Sequence, residues 1–209
     1  MLYYPENVTS ARQTLGNLWP LLKPGLWHST PAERYGAILN NGKINPDGDQ
    51  GGNIYSGSFV LSINAVSLFD FEKAKEDDAL GTLNSKWSSH LKRTDTRVNV
   101  WIGLNRNRLP GRLILADEGA KLACGIGLWY PRVEACHVGP IPTYAFTTIL
   151  AVSTADPRQF EPLVRGTEGL PRLRELTEKW PDPVSDTVRT LWAGRDRNAR
   201  REQQVGVRQ

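Results

Sequence analysis

The feature that most limits how this chain can fold is a strand-to-helix corner near its start. Leu26-Trp27-His28-Ser29-Thr30-Pro31 runs into Ala32-Glu33-Arg34-Tyr35-Gly36-Ala37-Ile38-Leu39-Asn40-Asn41-Gly42 and on to Lys43-Ile44-Asn45-Pro46. The first six residues read as a short strand carrying a His. Thr30 is placed to cap the following helix, Pro31 to fill its first position, where a missing N–H is harmless, and Glu33 to complete a capping box. Tyr35, Ile38 and Leu39 share one helical face, and Gly42 suits a left-handed C-terminal cap. A strand that brings a His and hydroxyls to a helix N-terminus is a candidate site for a phosphate-bearing ligand. Taken alone, the same residues read first as a core histidine and a plain cap.

Along the rest of the chain, residues 7–22 read as a helix with Asn7, Thr9 or Ser10 as cap, ended by Pro20 and the Lys23-Pro24-Gly25 turn. The polar stretch Pro46-Asp47-Gly48-Asp49-Gln50-Gly51-Gly52-Asn53 reads as a lid or binding loop, or as a plain surface excursion. Ala65 to Phe71 alternates as a strand, with Ser67, Phe69 and Phe71 on one face. An acidic helix and a Ser-rich loop around Trp87 follow. Further strands are expected at Arg97–Leu104, Arg112–Leu115, Arg132–Val138 and Phe146–Val152. Beyond Asp156 the pattern turns to short helical pieces, Leu170–Trp180 and Pro183–Trp192, and then to an Arg-rich end.

Composition narrows the class. A chain of 209 residues with 39% hydrophobic content supports one sizeable core with an appendage. The net charge of +4 permits a polyanionic partner without requiring one. Two cysteines, Cys124 and Cys136, make no disulfide framework and no metal-type cluster, so a reduced, cytoplasmic protein without a metal is expected. No apolar run approaches the ~20 residues of a membrane span, and no signal peptide is expected at the N-terminus. Seven Trp residues serve either a core or ligand stacking.

Two blocks resemble a known family. Leu26-Trp27-His28-Ser29-Thr30 with Ala37-Ile38-Leu39-Asn40-Asn41-Gly42 is similar to the Tyr-His-x-Thr strand and Ile-Leu-x-x-Gly helix of the ADP-ribosyltransferase fold. Val133-Glu134-Ala135-Cys136-His137-Val138-Gly139-Pro140-Ile141-Pro142, leading to Thr148-Ile149-Leu150-Ala151-Val152, is similar to the segment that presents the family's catalytic Glu. Within the family, the bacterial toxin branch with the DarT-like DNA-modifying enzymes is the nearest in pattern. The resemblance spans roughly residues 25–153. It implies an α+β fold with a split mixed sheet and flanking helices over residues 1–155, to which the sequence pattern itself adds a helical extension over 156–194 and, over 195–209, a basic, flexible tail that is either plainly solvated or a polyanion-binding arm. It also implies NAD as co-substrate, a DNA, RNA or protein acceptor, a bacterial or phage toxin or defence role, and an antitoxin partner. DarT-like enzymes carry a catalytic Arg after the first helix. Here no Arg stands between Arg34 and Arg93, so that role transfers to no residue.

Carried over residue by residue, the resemblance makes Glu134 the catalytic carboxylate, able to oppose positive charge at the anomeric carbon of ribose. His28 then holds the adenosine ribose, and Ser29 and Thr30 lie near the pyrophosphate. Tyr55, Ser67 and Phe69 compete for the nicotinamide-side position. Without the resemblance, Glu134 is already notable. A carboxylate between Val133 and Ala135 in an apolar strand is costly if buried without partners, although alternation also allows it a solvent face beside Arg132. Two rival functions stay open: a nucleic-acid-binding module with a degenerate site, and a hydrolase using His28 and His137 as an acid–base pair.

Overall fold

The computed structural model describes residues 12–13, 15–46, 59–85, 96–125, 129 and 132–182. Tyr55, residues 47–53 of the polar stretch, the helix caps before residue 12, the helix expected at Pro183–Trp192 and the Arg-rich end lie outside the described residues. In chain order the elements are α1 (Leu18–Leu22), β1 (Leu26–Pro31), α2 (Ala32–Asn41), β2 (Lys43–Ile44), α3 (Phe59–Ser62), β3 (Ala65–Asp70) and α4 (Glu76–Ser85). They continue with β4 (Val98–Leu104), β5 (Leu113–Ile114), α5 (Ala116–Leu122), β6 (Glu134–Val138), β7 (Ile141–Pro142), β8 (Phe146–Ser153), β9 (Phe160–Leu163) and α6 (Leu170–Lys179).

The protein is α+β. Seven strands form one sheet in the order β5-β6-β3-β1-β4-β8-β9, and β2 and β7 form a separate two-stranded ribbon. Every pairing is antiparallel, so the mixed sheet expected from the sequence is replaced by an antiparallel one. Strands consecutive along the chain pair directly at β5–β6 and β8–β9, whereas β1–β4, β3–β6 and β4–β8 pair across crossovers, and all of these pairs run antiparallel.

Strand alternation builds two cores. On one face, Leu26, Val66, Leu68, Val100, Ile102, Ala135 and Ile149 pack with Tyr35 and Ile38 of α2 and with Leu173 and Leu176 of α6. On the other, Trp27, Phe69, Phe71, Trp101, Leu150 and Val152 pack with Leu18, Trp19 and Leu22 of α1 and Ala79 and Leu80 of α4. Aromatic rings lie in contact here: Phe69 is 5.0 Å from Trp101 and 5.6 Å from Phe71, centroid to centroid. β4 is buried along its whole length, as befits a strand covered on both faces. Trp19, Trp27 and Trp101 are therefore core residues, not an exposed stacking platform.

Local chemistry departs from the sequence reading in three places. Thr30 is the fifth residue of β1, Pro31 stands at the N-cap of α2, and no side chain caps that helix. The capping box is absent because pairing with β4 holds Thr30 and Pro31 extended, in register with Val100 and Asn99. Glu33 instead accepts a hydrogen bond from Thr96 Oγ1 at 3.1 Å. The C-terminal cap is as expected, with Gly42 left-handed (φ 67°) and its N–H on Ile38 and Leu39 carbonyls. Pro20 does not end the first helix. The chain turns at Gly16 (φ 49°), and Pro20 sits in the first turn of α1, where its N–H would have no helical partner anyway. Finally, β9 pairs with β8, and α6 buries Leu173 and Leu176 in the main core. A boundary at residue 155 would cut this hairpin, so residues 156–182 belong to the body of the domain.

Candidate functional site

Three neighbouring strands carry His28, Ser67 and Glu134: Ser67 and Glu134 share a face with Ser29, and His28, which alternation sets on the opposite face, reaches the Ser67 main chain in the gap between β1 and β3. β3 pairs with β6 over five positions, opposing Phe69 to Glu134 and Ser67 to Cys136, so Ser67, Phe69, Glu134 and Cys136 share a face. Ser67 Oγ donates to Glu134 Oε1 at 2.7 Å. On the other side of β3, the ladder with β1 holds only two pairs, Leu26↔Asp70 and Trp27↔Phe69, whereas β1 pairs with β4 over six positions. Beyond Trp27 and Phe69 the two strands part. His28 spans the gap there, its Nδ1 lying 3.1 Å from the Ser67 carbonyl oxygen. A carbonyl only accepts, so Nδ1 carries the proton.

The parting of β1 and β3 leaves His28, Ser29 and Ser67 half-buried in the middle of the sheet. Glu134 is 3% exposed. A carboxylate this deep needs hydrogen-bond donors, and the Ser67 hydroxyl is one of them. Its neighbour Cys136 is wholly buried, and its thiol is pushed up to about 12, first by burial and then by the Glu134 and Glu118 carboxylates. Cys136 is thus a packing residue, not a nucleophile at neutral pH.

The remaining candidates fall into place around this line. Ser29 projects to the same face as Trp27, opposite Trp101, and its Oγ accepts from Asn99 Nδ2 at 2.6 Å. Thr30 points to the opposite face, buried beside Val100. Phe69 is 3% exposed, with its ring inside the aromatic core. Among the described residues, Ser67 hydrogen-bonds Glu134, and Phe69 is its register partner on β3. Tyr55 lies outside the described residues.

His137 cannot serve the hydrolase reading. Its Nδ1 donates to the Gly139 carbonyl at 3.0 Å, and its Nε2 accepts from the Gly111 N–H at 3.0 Å. Both ring nitrogens hold backbone, and the ring is buried. A Cβ at residue 111 would meet the Val138 carbonyl oxygen at 2.7 Å and His137 Nε2 at 2.9 Å, which is why a glycine stands there.

Sequence reasoning missed Asn99. A lone amide between Val98 and Val100 is the same signal that drew attention to Glu134: a polar group set into an apolar strand. Compared with known proteins, the chain matches no family model, no curated protein and no solved structure.

Proposed function

We propose that the protein is an NAD-dependent ADP-ribosyltransferase. It would move ADP-ribose from NAD to a macromolecular acceptor, a nucleic acid ahead of a protein given the basic charge balance, as a bacterial or phage toxin or defence effector does. The observation that carries this reading is the His28–Ser67–Glu134 line, drawn from three adjacent strands where the sheet opens. The set of groups suits a dinucleotide: a carboxylate to accept from ribose hydroxyls, an imidazole, and the half-buried hydroxyl of Ser29.

NAD supplies a glycosidic bond to nicotinamide whose cleavage leaves positive charge on the ribose. Glu134 opposes that charge from a low-dielectric position, where a fixed carboxylate acts more strongly than in water. Ser67 holds the carboxylate in one orientation, so it needs little reorganisation when charge develops. His28 and Ser29, on the far side of the opening, bind and orient the nucleotide.

Incubation with NAD labelled in the adenylate moiety and with single-stranded DNA, RNA or protein acceptors tests the reading. Wild-type protein transfers label, and Glu134→Gln lowers the rate at least about 100-fold. Transfer that is unchanged in Glu134→Gln removes the catalytic assignment. Near-complete burial of Glu134 favours one rival, a binding module without catalysis, whose signature is nucleic-acid binding with no transfer by wild type.

A further inference from the structure

Asn99 is fully buried in the middle of the sheet, between Val98 and Val100, on the face that also carries Trp101. A valine there would pack without any polar cost, so the amide calls for a reason. Its Nδ2 donates to Ser29 Oγ at 2.6 Å. Ser29 is half-buried on β1, one residue past His28, beside the opening between β1 and β3. Among the described residues its own hydroxyl proton is given to no group. Because Asn99 donates into the oxygen, that proton is directed away from Asn99.

We infer that Asn99 is a positioning residue, which fixes the Ser29 hydroxyl as a single-proton donor to an acceptor oxygen of the bound dinucleotide. The inference rests on the NAD reading above and adds a residue on a fourth strand, β4, to its nucleotide-binding side. Asn99 touches no ligand itself; it acts through Ser29. Without the amide, the hydroxyl rotates freely and spends its proton elsewhere. With Asp in its place, the polarity reverses: the carboxylate takes the Ser29 proton, and none is left for the ligand.

The test is a double-mutant cycle read by calorimetric NAD binding and by thermal unfolding. Ser29→Ala weakens NAD binding about tenfold, the value of one well-made hydrogen bond. Asn99→Ala weakens it several-fold in the Ser29 background and not at all in the Ser29→Ala background, while it still lowers Tm in both, less in the second, where the Asn99–Ser29 bond is already lost. Asn99→Asp, if it folds, binds as poorly as Ser29→Ala. An Asn99→Ala effect on NAD affinity that persists undiminished without the Ser29 hydroxyl overturns the positioning role and makes Asn99 a packing residue. So does unchanged affinity in Ser29→Ala. Wild-type protein that binds no NAD overturns the functional reading itself, and the inference with it, so the two failures are told apart.

Discussion

At the scale of single residues, the contrast between two histidines is the most instructive feature. His28 sets its Nδ1 on the Ser67 carbonyl at the parting of two strands. His137 uses both nitrogens to tie the Gly111 and Gly139 turns to β6. Replacing His137 by Phe keeps the ring but leaves a buried N–H and a carbonyl without their partner, and is expected to cost about 2–4 kcal/mol in urea unfolding. His28→Phe is expected to leave stability within about 1 kcal/mol and to weaken NAD binding. On the proposed reading, Ser67→Ala is expected to lower kcat for label transfer about tenfold with little change in KM and with the protein still folded, which separates positioning from chemistry. Much of this was legible in the sequence. The polar residues of an apolar strand stand out in one dimension, and His28, Ser67 and Glu134 were chosen on that ground or on resemblance. What they do is not legible there. Whether a histidine spends its nitrogens on backbone depends on Gly111 and Gly139, which join β6 only in three dimensions.

At the scale of elements, pairing overrode local capping. Thr30 has the right spacing to cap α2, yet six register pairs with β4 keep it in the strand. Thr30→Val is therefore expected to change stability by less than about 0.5 kcal/mol, where loss of a working cap would cost about 1 kcal/mol. The strand β9 escaped the sequence reading because Phe160-Glu161-Pro162-Leu163 is short and holds a proline. An edge position, where a missing N–H is harmless, accommodates it. What fixes this edge is a fork: Arg172 Nε and Nη2 donate to Glu161 Oε1 and Oε2 at 2.6 and 2.7 Å, pinning α6 to β9, and Arg172 also meets Glu175. Glu161→Gln is expected to cost about 1 kcal/mol or less, given the exposure of the pair, and to speed amide exchange in α6 before any other helix on that face.

For the molecule as a whole, the buried and paired ionisable groups bound the pH range of the fold. Glu72, Glu76 and Glu161 are held below the ordinary carboxylate range, chiefly by hydrogen bonds from Arg106, Lys23 and Arg172 respectively. Their stabilisation is complete above the unfolded value near ~4.3 and is lost as pH falls through the lower folded values. At the other end, burial raises Cys136 from 9.0 and Tyr35 from 10.0 to about 12 each. Their contribution is complete below the unfolded values and disappears as pH rises through the folded ones. Urea midpoints across pH should be flat near neutrality, fall below about pH 4, and fall again from about pH 9 upward. Cys136→Ala delays the onset of the alkaline decline toward pH 10, where Tyr35 takes over.

The two-pair ladder between β1 and β3 also bears on how the protein assembles. It joins a block of β5, β6 and β3 to a block of β1, β4, β8 and β9; the β3–β6 ladder and those of the second block are longer, while β5 adds only two pairs to β6. Ser67 and Glu134 belong to the first block, and His28, Ser29 and Asn99 to the second. Neither block holds a complete site. Both apolar cores cross this seam, with Trp27 and Phe69 at its ladder, so the proposed site is complete only when the blocks are docked. On the proposed reading, NAD binding should disappear during unfolding before the far-ultraviolet signal of either block does.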